Sequence, residues 1–120
     1  MTSIDEALQL YPELAVLIAL SHALWTFWYL TDTAGRPEWL VGVLNWPEYS
    51  DALWIVDRGE ALAVRLRVDS PGTRGGVVWQ SAGSLTAAID ALRALPAPDE
   101  PGAPSRVIRS GPFWPPRGFC

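Results

Sequence analysis

Apolar residues recur along this chain with two different periods, and the change of period divides it into elements. Leu8 and Tyr11 fall on one face of a helix that should begin at Ile4. Ser3, with Glu6 three residues later, has the spacing of a capping box at its start. Pro12 would remove a hydrogen bond inside a helix but suits the first turn of a new one, so the pattern predicts a kink or two abutting helices. Glu13 falls near the second start, where the helix dipole favours an acid. Leu14, Leu17, Ile18 and Leu20 make the second piece apolar almost all round, as in a helix that is buried on most sides or faces a partner.

From Leu24 the period shortens to two. Trp25, Phe27 and Tyr29 alternate with Thr26, Trp28 and Leu30, a spacing and composition that suit a pleated strand. Residues 32–37 (DTAGRP) have turn chemistry. Residues 39–46 read as a second strand ended by Pro47, and 53–56 as a third. Asp57, Arg58, Gly59 and Glu60 form a compact hairpin turn into a fourth strand, 61–68. In that strand Leu62, Val64, Leu66 and Val68 are expected to face the core, with Ala61, Ala63, Arg65 and Arg67 in water. A glycine-rich loop, 69–76, leads to a fifth strand at 77–80. Ser84 then caps a helix with the stripe Leu85, Ala88, Ile89, Leu92 and Leu95, which Pro96 stops.

These elements predict an α+β fold: two layers, with an antiparallel meander sheet of about five strands flanked by N-terminal and C-terminal helices. Residues 1–95 form the expected single domain. Residues 96–120 hold seven of the eleven prolines and are expected to be an extended, partly polyproline-II tail.

Composition narrows the classes of function. The formal charge is −4, which argues against nucleic acid as a partner. All nine basic residues are arginine, and with abundant Ala, Gly and Pro and a single asparagine this is the codon signature of a GC-rich bacterial genome. The run of residues 14–31 is uncharged, at the lower edge of what a spanning helix needs. Its polar Ser21, His22 and Thr26 and its alternating second half favour a helix running into a strand over a membrane segment. The acidic start has no basic leader, and the only cysteine, Cys120, suits a reducing compartment, so the expected location is the cytoplasm.

Catalytic and cofactor chemistry finds little purchase. His22 is the only histidine, and Ser21 beside it would not face it on a helix. Acids come in near pairs, Glu48 with Asp51, Asp57 with Glu60 and Asp99 with Glu100, but on turns or the tail, where acids ordinarily solvate and cap. The Pro71 to Gly76 stretch resembles a phosphate loop, yet it feeds a strand and lacks the lysine. The strand-to-helix turn at 80–84 is a better anion site, with capping as its ordinary explanation. The reading is therefore no catalytic residues, no metal and no cofactor.

Aromatic surplus is the unusual feature. Seven tryptophans fall mostly on the strands, more ring area than one sheet face buries. The end of the chain, GPFWPPRGFC, is too apolar for an idle tail, and its prolines lower the entropy lost on docking. The expectation is a non-enzymatic domain of the adaptor, regulatory or immunity kind. It would bind another protein or a second copy of itself, with Arg65, Arg67, Phe113, Trp114, Arg117 and Phe119 as partner-binding residues. The alternative is a small-molecule or enzymatic domain with an aromatic pocket behind the sheet, lined by Trp25, Trp28 or Trp54 and holding a buried carboxylate.

Overall fold

The computed structural model of the chain describes residues 3–20, 25–31, 33–34, 37–67, 76–106 and 108–110. His22, residues 68–75, which include most of the expected loop, and residues 111–120, with Phe113, Trp114, Arg117, Phe119 and Cys120, lie outside the described residues.

The elements run α1 (Ile4–Leu10), α2 (Leu14–Leu20), β1 (Thr26–Thr31), β2 (Pro37–Asn45), β3 (Tyr49–Asp57), β4 (Glu60–Arg67), β5 (Gly76–Gly83), α3 (Leu85–Ala94) and β6 (Arg109–Ser110). Every strand pairs antiparallel with its sequence neighbour, so the sheet order is the chain order. This is the expected meander, extended by the two-residue β6 on the far edge of β5. The uncharged run divides as read, into α2 and β1. No helix among the described residues is long and apolar enough to cross a membrane.

Local chemistry accounts for the boundaries. Ser3 Oγ accepts from the Glu6 N–H at 3.1 Å and donates to the Glu6 carboxylate at 3.1 Å, which ties down the first turn of α1. Pro12 lies between the helices, so the chain makes two abutting helices and not one kinked helix. Ser84 Oγ accepts from the Ala87 N–H at 3.1 Å, so the strand-to-helix turn considered as an anion site is occupied by ordinary capping.

One sheet face carries the three helices of the described residues. Its core joins Ala7, Leu14, Leu17, Leu85, Ala88, Ile89 and Leu92 from the helices to Phe27, Leu40, Leu53, Ile55, Ala61 and Ala63 from the strands. Register explains the shape of this face. The row Phe27, Gly42, Leu53, Ala63, Ser81 and the row Leu40, Ile55, Ala61, Gly83 carry their bulk on the β1–β3 side and taper to small residues on β4 and β5. There α3 packs most closely. The face of β4 expected in water is thus the one the helix layer covers: Ala61 and Ala63 let a helix approach, and larger side chains would hold it away.

The β3–β4 turn ties the helices to the sheet. Asp57 Oδ1 accepts from the Gly59 N–H at 2.7 Å and holds the hairpin. Arg58 donates to the Leu10 carbonyl at 3.0 Å, capping the end of α1, and to Glu13 Oε2 at 2.9 Å. Its guanidinium lies 5.4 Å from the centre of the Tyr11 ring, and its own carbonyl accepts from the Leu85 N–H.

Burial raises the pKa of Tyr11 above its usual 10, and Asp57 adds to this while Arg58 opposes it. Tyr29 is raised as well, first by burial and then by Tyr11 and Glu6. A raised phenol stabilises the fold in its neutral form, fully below pH 10, and that contribution is lost as pH climbs through the folded value. Melting temperature should therefore fall as pH is taken above 10, and less steeply in Tyr11→Phe. An identical alkaline slope in that variant would contradict the assignment.

Candidate functional site

Among the described residues, the second sheet face holds no helical residue in its cluster. Val41, Ala52, Trp54, Leu62 and Val64 are buried there, with Leu30, Trp39, Val43 and Leu66 packed around them. Period two produces this directly, since the row Trp28, Val41, Trp54, Leu62 and the row Val43, Ala52, Val64 point away from the helices. Burial falls off across the sheet, from Val64 at 0% exposed on β4 to Trp28 at 39% on β1. On this face Trp28, Leu30, Val41, Val43, Ser50, Ala52, Trp54 and Leu66 line an open groove of about 380 Å³. Ser50 is its polar member, and its hydroxyl donates to Asn45 at 2.8 Å.

The groove is lined by Trp28 and Trp54 of the three tryptophans named for an aromatic pocket, Trp25 lying in the helix-side core. It is open, however, and the described carboxylate that is buried lies on the opposite face. That group is Asp51. It pairs in register with Arg65, in the row Leu44, Asp51, Arg65, Trp79 on the helix side. Arg65 Nε donates to Asp51 Oδ1 at 2.6 Å and Arg65 Nη2 to Asp51 Oδ2 at 3.0 Å. Asp51 Oδ2 also accepts from the Trp46 indole N–H at 2.9 Å. Arg65 Nη1 donates to the Pro96 carbonyl at 2.6 Å, which fixes the chain where it leaves α3.

The placement of Arg65 is therefore a correction. It was expected in water, but it is 1% exposed and Asp51 only 4%. Alternation identified its face correctly, but that face is the covered one, and a bidentate carboxylate is what allows a guanidinium to be buried there. Arg67, two residues on, is exposed as expected. The other four residues of the predicted set lie outside the described residues.

This network also shapes a second concavity, one that the sequence reading missed. Trp46, Pro47, Glu48 and Tyr49 on the β2–β3 turn face Pro98 and Asp99 on the loop after α3, enclosing about 290 Å³. The turn is closed by Trp46 N–H donating to the Tyr49 carbonyl at 2.8 Å. The loop is ordered by Glu100, which accepts from the Ala97 N–H at 3.2 Å and donates its own N–H to the Ala97 carbonyl at 2.9 Å. The two walls are joined beneath by Trp46–Asp51–Arg65–Pro96. The neighbouring acids of the sequence thus take separate roles. Asp51 and Glu100 are structural, whereas Glu48 and Asp99, far apart in sequence, share one cleft. Pairing by sequence distance gave no signal of it.

Among the described residues no three His, Cys, Asp or Glu side chains cluster as metal ligands. Comparison with protein-family models, with curated proteins and with solved structures finds no match to this chain.

Proposed function

We propose that this chain is a binding domain that takes a partner protein on the helix-free face of its sheet. The observation that carries the reading is the groove over β1–β4, whose described lining is aliphatic and indole apart from Ser50. A concavity with apolar walls is a usual binding feature, and aromatic side chains supply most of the energy when it is filled. Exposed Trp28 on β1 is the natural anchor, since the edge strand leaves it room to enter a partner's pocket.

Phe113, Trp114 and Phe119 extend the same proposal, whereas Arg65 serves the fold and Arg67 shares its helix-side face of β4. The lone cysteine fits a reducing compartment, and we assign the chain to the cytoplasm. A small apolar ligand in the groove is the second reading, favoured by a volume within the range of ligand pockets.

The test is a photo-reactive aromatic residue placed at position 28 in the native host, with a second at exposed Gln9 on α1 as control. The expected result is one cross-linked protein from position 28 and none from position 9, with capture abolished by Leu30→Glu. Equal capture from both positions, or none from either, would remove the proposal. A cross-linked small molecule would transfer it to the second reading.

A further inference from the structure

The cleft between the β2–β3 turn and the loop after α3 has a chemistry distinct from the groove. Its walls are two aromatic rings, two prolines and two exposed carboxylates, Glu48 and Asp99. Aromatic and proline surfaces suit an extended proline segment, which docks at low entropic cost. Carboxylates beside aromatic faces suit a cation, above all a guanidinium, which can stack and pair at once. The positive charge of Arg65 underneath is already matched by Asp51, so it does not offset the two acids. Arg67 pairs in register with Tyr49 but does not line the cleft.

The chain carries such a ligand at its own end, as Pro115, Pro116 and Arg117. Register shows where that segment starts. Ser110 pairs with Gly76, Gly76 with Arg67, and Arg67 with Tyr49, so the last described residue stands in the same row as the cleft wall. Three strand spacings separate Ser110 from Tyr49, about 14 Å. Seven residues of polyproline-II chain from Ser110 to Arg117 reach about 22 Å, enough to cross that distance. Charge agrees with reach. Residues 1–95 hold eleven acids and six arginines, whereas residues 96–120 hold two acids and three arginines.

We propose that this cleft seats the chain's own Pro115-Pro116-Arg117, with the prolines against Trp46 and Tyr49 and the guanidinium between Glu48 and Asp99. The tail would then be anchored at both ends, by β6 and by Arg117, with Phe113 and Trp114 held along the end of the sheet. The assignment goes beyond the partner-binding reading and stands without it.

The only cysteine, Cys120, lies three residues past Arg117 and accepts a nitroxide label on the full-length chain. Paramagnetic broadening of backbone amides then reports where the tail sits. The expected result is broadening concentrated at Glu48, Tyr49 and Asp99, unchanged on dilution. It should fall about threefold or more in Arg117→Gln, in the double variant Glu48→Gln with Asp99→Asn, and in high salt. All three positions are exposed or terminal, and an unchanged amide spectrum elsewhere verifies that each variant folds. Uniform broadening, or broadening centred on Leu30 and Val43 in the groove, would overturn the proposal. So would broadening seen only between separately labelled molecules, which would make the occupant a second copy.

Discussion

Asp51→Ala should leave a chain that is folded only marginally or not at all. The substitution strips a buried guanidinium of both its carboxylate bonds and frees the Trp46 indole N–H. An uncompensated buried charge costs about 3–5 kcal/mol, a large share of the roughly 5–15 kcal/mol by which a domain is stable. At about 4 °C per kcal/mol the melting temperature should drop by roughly 12–20 °C. Arg65→Met should cost less, because the carboxylate it leaves still accepts from Trp46, although it also releases the Pro96 carbonyl. The diagnostic result is the double variant. Asp51→Leu with Arg65→Met removes both charges, and it should be more stable than Asp51→Ala alone, because desolvation of the pair offsets much of its Coulombic gain. Denaturant unfolding of the three variants measures this. A small loss in Asp51→Ala would mean that the pair is not desolvated in solution.

Gly42→Val should be the second severe change, through overpacking. Gly42 faces Phe27 across the β1–β2 ladder. A Cβ added there would lie 2.7 Å from Phe27 Cε1, 3.1 Å from Phe27 Cδ1 and 3.4 Å from Trp25 Cε3. Phe27 cannot swing aside. It is fully buried, and its ring stacks on Trp25 with centroids 6.3 Å apart. Forcing methyl groups into such a site costs about 1–3 kcal/mol and sometimes more, and valine should lie at the upper end. The usual gain from replacing a strand glycine is therefore reversed in sign here. Combining Gly42→Ala with Phe27→Leu makes room, so the pair should lose less than the sum of the two single variants in thermal unfolding. Strict additivity would show that ring and glycine do not touch.

Both predictions depend on partners that local pattern does not reveal, and this separates what was legible in the chain from what was not. Caps, breaks and turns act within a few residues, so Ser3, Pro12, Asp57–Glu60 and Ser84 marked their elements unaided. Period two marked the strands, and short turn-bearing connections made a meander the natural order.

The same alternation left open which face the helices would take, because β4 is buried on both sides from Ala61 to Arg65. The lipophilic residues Leu62 and Val64 looked like the helix-facing set. The helices instead settled over the alanines, where the backbone can be approached, and the larger side chains were left to build the groove. Arg65 read as solvated for the same reason, since its carboxylate arrives from another strand and only the register brings the two together. The six-stranded sheet was also hidden, because a two-residue strand such as β6 carries no period of its own. Element type and order thus follow from chain-local chemistry. The covered face, the buried ion pair and the cleft between Glu48 and Asp99 were decided by packing, which depends on side-chain size and on contacts between residues distant in sequence.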